Sequence, residues 1–71
     1  MNFEFKKDDW VAIEGGFEIR FQKEEQGHLI TQVYEIEENG EKNVVLVPTR
    51  DLPNEIVIET NIPFNGTVVA R

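Results

Sequence analysis

The chain contains no cysteine and a single histidine, His28. The first absence removes disulfides and thiolate metal sites and leaves the redox compartment unread. The second removes the multi-imidazole zinc arrangements. Basic residues are scarce as well: 7 Lys and Arg stand against 14 Asp and Glu, a formal net charge of −7. Such a balance opposes general binding to phosphate backbones and anionic membranes, so no direct nucleic-acid or membrane partner is expected. It also keeps a small β protein soluble, which is the plainer explanation. No apolar run approaches the roughly 18 residues of a spanning helix, and no secretory h-region opens the chain. A cytoplasmic location is the expectation. No stretch carries a helical period over about eleven residues, so no substantial helix is predicted. The spacings G-x-S-x-G and H-E-x-x-H and a phosphate-cradling glycine loop are all missing.

What is present reads as β structure. With 71 residues the chain is one domain, residues 1–71, of a size that buries only about 60% of its unfolded surface. Its core must come from the five Phe, Trp10, Tyr34 and the many Val and Ile. Residues 17–47 read as one antiparallel meander. Phe17, Ile19 and Phe21 alternate with Glu18, Arg20 and Gln22, the period of a strand with one buried face. Asn39-Gly40 is the strongest short hairpin signal, since a type I′ turn needs positive φ at both central positions.

A two-residue loop there pairs Ile36 with Asn43, Tyr34 with Val45 and Gln32 with Val47. A four-residue loop at Glu24–Gly27 pairs Lys23 with His28, Phe21 with Ile30, Ile19 with Gln32 and Phe17 with Tyr34. Both hairpins then place Phe17, Ile19, Phe21, Ile30, Tyr34, Ile36, Val45 and Val47 on one face, with Gln32 a misfit among them. The reverse face gathers Val33, Val44 and Leu46, bordered by charge from Arg20 and Glu35.

Before the meander, Phe3-Glu4-Phe5 alternates and starts an edge strand. A charged break follows at Lys6–Asp9, then a strand at Trp10–Ile13, then a turn at Glu14-Gly15-Gly16. A charged turn, an apolar strand, then Gly and an aromatic resembles the opening of SH3-like and KOW-type small barrels. That likeness spans about ten residues and implies architecture only. After Val47, Pro48–Asn54 reads as a loop, Glu55–Thr60 as a strand, Asn61–Gly66 as a connection and Thr67–Arg71 as a final strand. The expected fold is all-β: a single small barrel, SH3-like or a five-to-six-stranded antiparallel meander.

Nothing in this pattern assembles a catalytic constellation. The acidic residues sit at two tips: Glu24 and Glu25 at one, Glu37, Glu38 and Glu41 at the other. A strand of ~10 residues separates the tips by roughly 30 Å, beyond the ~10 Å of paired-carboxylate catalysis. The second tip has the composition of a Ca²⁺ loop but not its spacing. His28 lacks a nucleophile to activate. Asn65-Gly66-Thr67 matches a glycosylation sequon but reads as turn chemistry, and Trp10 reads as core.

The expected function is therefore a non-enzymatic protein–protein interaction or regulatory accessory module, without cofactor or metal. The alternative is an acidic decoy that mimics nucleic acid and blocks a DNA- or RNA-binding protein, as phage-type inhibitors do. Candidate partner-binding residues are Val33, Val44, Leu46, Arg20 and Glu35. Their face either forms a second part of the core or docks a partner protein or a second copy of the chain. The first reading carries slightly more weight, because so short a chain needs every aliphatic it can bury.

Overall fold

The stretches with strong period-two alternation fold as strands in the computed structural model, which describes residues 1–24 and 27–71. The strands are β1 (Asn2–Phe5), β2 (Val11–Ile13), β3 (Gly16–Gln22), β4 (Thr31–Ile36), β5 (Lys42–Val45), β6 (Thr49–Asp51), β7 (Glu55–Thr60) and β8 (Gly66–Ala70). They form two four-stranded antiparallel sheets, ordered β1-β8-β4-β5 and β2-β3-β7-β6. The fold is all-β as expected, and the ladders among the described residues do not close it into a barrel. The one helical piece there is a 3₁₀ turn, Lys7–Asp9, inside the charged break.

The meander expected over 17–47 does not form. β3 pairs with β7, setting Phe17 opposite Thr60, Ile19 opposite Ile58 and Phe21 opposite Ile56. β4 pairs with β8 instead, setting Thr31 opposite Ala70 and Val33 opposite Val68. The chain thus enters the other sheet between the end of β3 and the start of β4; Glu25 and Gln26, at the tip of the expected hairpin, lie outside the described residues. Alternation shows which face of a strand is buried, but not which strand lies beside it. Here β7 and β8, whose Ile56, Ile58, Val68 and Ala70 are fully buried, take the places beside β3 and β4.

The second hairpin forms one residue out of the expected register. Tyr34 lies opposite Val44, Ile36 opposite Lys42 and Val33 opposite Val45. Its turn is not type I′, because among the described residues only Gly15, Gly27 and Gly40 have positive φ. The Gly40 N–H donates to the Glu37 carbonyl at 2.9 Å, and the Glu37 N–H to the Glu41 carbonyl at 2.9 Å. The Asn39 side-chain oxygen accepts the Glu41 N–H at 2.9 Å. This is a three-residue loop with a glycine bulge, which needs one positive φ where type I′ needs two. The slip turns β4 over: Val33 faces inward, while Tyr34 and the misfit Gln32 face outward. Ile30, expected inside, is 78% exposed.

The stretch 48–54 is not all loop, since β6 pairs with β7 there. Gly66 is not in a turn; it opens β8, opposite both Phe5 and Glu35.

Between the sheets lie Phe5, Trp10, Ile19, Val33, Ile56, Ile58, Phe64, Val68 and Ala70, flanked by Phe3, Phe17, Phe21, Leu29, Val45 and Val47. The centre is aromatic. Phe5 meets Trp10 edge-on at 5.3 Å and Phe64 edge-on at 5.4 Å between ring centroids, the geometry that ring quadrupoles favour. Trp10 lies in the core as read, and its Nε1–H donates to the Phe64 carbonyl at 2.9 Å. That bond satisfies the one polar atom the indole brings inside.

Candidate functional site

The structure separates the five residues that the sequence grouped. Val33 is 4% exposed, inside the core, so it cannot share an outer cluster with Val44, which is 57% exposed, or Leu46, which is 95% exposed. Arg20 lies on the outer face of the other sheet. Its Nε donates to Glu18 and its Nη1 to Glu55, each at 2.6 Å. Glu18, and then Glu55, push the pKa of that guanidinium up. On the same face Arg50 donates to Glu59 at 2.5 Å. Arg20 and Arg50 lie directly opposite Val57 on its two sides, and Val57 is 1% exposed although it points outward. The two aliphatic stems roof a valine while their heads hold three carboxylates. Both arginines are engaged by their own sheet.

Leu46 has a companion that the sequence reading passed over. Ile62, in the crossover from β7 to β8, is 76% exposed, and both residues border the same two grooves. The first groove, of ≈ 360 Å³, runs between the Glu14-Gly15 turn, Leu46–Pro48 and Glu59–Ile62. The second, of ≈ 470 Å³, lies between Val45–Val47 and Thr60, Ile62, Pro63 and Phe64, with Glu35 at its rim. Local physics explains why these side chains project. β5 ends at Val45, and by Pro48 the chain has reached the other sheet, where the Pro48 carbonyl accepts the Glu59 N–H at 3.0 Å. Ile62 sits in a tight turn, where the Thr60 hydroxyl donates to the Ile62 carbonyl at 3.1 Å. An apolar residue between Asn61 and Pro63 was the available signal, but a single exposed isoleucine in a loop is ordinary.

At the opposite end of β3, Lys23 forms a polar clasp. Its side chain has no exposed surface. The ammonium donates to Asp51 Oδ1 at 2.5 Å, to the Leu52 carbonyl at 2.9 Å and to the Gly27 carbonyl. Asp51 Oδ2 accepts the Leu29 N–H at 2.7 Å, and His28 Nδ1 stands 3.5 Å from it with the ring 93% exposed. All three ammonium protons have acceptors, so the lysine ties the β3–β4 crossover to β6 and presents no free donor.

The clasp has a testable pH signature. The bond from Lys23, then that from the Leu29 N–H, hold the Asp51 carboxyl below its ordinary 3.8. A depressed carboxylate contributes stability that is present above its unfolded pKa and is lost as pH falls through the folded value. Thermal melts from neutral pH downward should therefore show a wild-type decline below about pH 4 that is shallower in Asp51→Asn. Parallel acid limbs would refute the assignment. Asp51→Asn should also melt lower at neutral pH, because Lys23 then lacks its counter-charge.

Among the described residues no group of three or more His, Cys, Asp or Glu is placed to hold a metal ion, and no helix is long and apolar enough to cross a membrane. Comparison with protein-family models, curated proteins and solved structures finds no match to this chain.

Proposed function

We propose that the chain is a non-enzymatic interaction module that captures a protein partner on the surface around Leu46 and Ile62. The observation that carries this reading is the convergence of two aliphatics, 95% and 76% exposed, on a pair of adjoining grooves. Scattered exposed aliphatics need no explanation, whereas apolar side chains lining grooves beside acidic residues have the character of an association surface. The all-β architecture supports the reading without any appeal to an SH3-like barrel. A nucleic-acid decoy would need a row of unpaired carboxylates, and on the outer face of β3 and β7 those of Glu18, Glu55 and Glu59 are bound to arginines.

The test is a double substitution, Leu46→Glu with Ile62→Glu, in immobilised protein challenged with extract from the native host. Both sites are exposed, so circular dichroism should be unchanged. The partner held by the wild type should be lost. Sedimentation of wild type and variant shows whether that partner is a second copy of the chain. Equal capture, with equal sedimentation, would overturn the proposal.

A further inference from the structure

We infer that the free edge of β5 accepts an extended peptide segment of alternating apolar and basic residues, added to its sheet as a fifth strand. This rests on the reading of the Leu46–Ile62 surface as a docking site and names what docks there. The hydrogen-bond phase of the hairpin carries the first step. The Glu37 N–H bonds the Glu41 carbonyl, and the pairs Glu35↔Asn43 and Val33↔Val45 stand in the same phase. The backbone polar groups of Asn43 and Val45 therefore point toward β4, and those of Lys42 and Val44 point off the sheet. β5 is the last strand of its sheet, and among the described residues no strand lies beyond it. Outward-facing donors and acceptors at every second residue match one kind of surface, another extended backbone.

Side chains set the chemistry of the incoming strand. Alternate residues would lean into the groove of ≈ 470 Å³, whose walls include Val45, Val47, Ile62 and Phe64, and these call for aliphatic side chains. Glu35 is half-buried at the same groove. Among the described residues the ion pairs are those of Arg20, Lys23, His28 and Arg50, so Glu35 makes none, and Lys6 and Lys7 share a separate cavity with it. A lysine or arginine in the added strand would give Glu35 such a pair. The net charge of −7 favours a basic segment over a second copy of this acidic chain.

The probe is an acetylated, amidated peptide alternating valine and lysine, titrated into ¹⁵N-labelled protein. A second peptide carries N-methyl groups on the amides that would face β5. The parent peptide should shift the Lys42 and Val44 amides and slow their hydrogen exchange, with a dissociation constant on the order of 1 mM or below. N-methylation and Glu35→Lys should each weaken binding by about tenfold or more. Unmoved Lys42 and Val44 amides overturn the inference, as does equal affinity for a valine–glutamate peptide. If the N-methylated peptide binds as well as its parent while Leu46→Glu abolishes both, strand addition fails and the docking surface stands. If Leu46→Glu leaves peptide binding untouched, the docking surface fails as well.

Discussion

Gly66→Ala is expected to unfold the protein, or to lower its melting temperature by more than about 10 °C. Gly66 sits in the middle of its sheet, between Phe5 on β1 and Glu35 on β4. A Cβ there would overlap the Tyr34 carbonyl oxygen and lie 2.7 Å from Phe5 Cζ. Neither obstacle can yield cheaply. The carbonyl belongs to β4, directly beside the β4–β8 ladder, and Phe5 is held by its contacts with Trp10 and Phe64. Gly66 is not among the positive-φ glycines, so the penalty is steric and a backbone adjustment at one residue would not relieve it. Overpacking typically costs about 1–3 kcal/mol, more where the surroundings are rigid, against the ~5 kcal/mol that a small domain commonly holds. Gly40→Ala is the control: its Cβ would meet nothing within 4 Å, although its φ of +86° carries its own strain. A Gly66→Ala protein melting within a few degrees of wild type would refute the packing described for β8.

Val33→Glu should be as severe, while Leu46→Lys should be nearly silent in stability. Val33 is 4% exposed, between Val45 and Val68 on the inner face. A carboxylate there would have no cation to meet, and the expected loss exceeds about 4 kcal/mol. Leu46 is 95% exposed, and replacing it should change stability by no more than about 0.5 kcal/mol. Urea denaturation of the two variants separates them. Comparable losses would mean that β4 presents its other face to the core.

That contrast shows how far the sequence carries. The alternation in 17–21 correctly placed Ile19 inside, and Phe3-Glu4-Phe5 correctly marked an edge strand. The run Glu55–Thr60 matches β7 in extent. Pairing was not legible, because β3 finds β7 more than thirty residues away, and no local pattern encodes a neighbour at that separation. The β4 face was lost through one residue of loop length. Asn-Gly fits both a type I′ turn and a bulged type I turn, and the choice between them moves Val33 from one side of the sheet to the other. The candidate site was half legible for the same reason. Val33 lies in the core, the reading that carried slightly more weight for the whole cluster, whereas Val44 and Leu46 lie outside it, and Ile62 is brought beside Leu46 only by the β7–β8 crossover.

The position of β8 has a consequence for how the chain acquires its structure. β8 is the last strand in sequence and lies between β1, the first, and β4; likewise β7 lies between β3 and β6. During synthesis the early strands β1, β3 and β4 therefore emerge without the neighbours that will later cover them. Local hairpins β2–β3 and β4–β5 can form, but they remain separate until β7 and β8 have been synthesised. Folding then waits on closures that span most of the chain, the kind that slows β topologies and leaves strand edges open to wrong partners. The acidic residues that crowd this sequence repel other nascent copies during that interval.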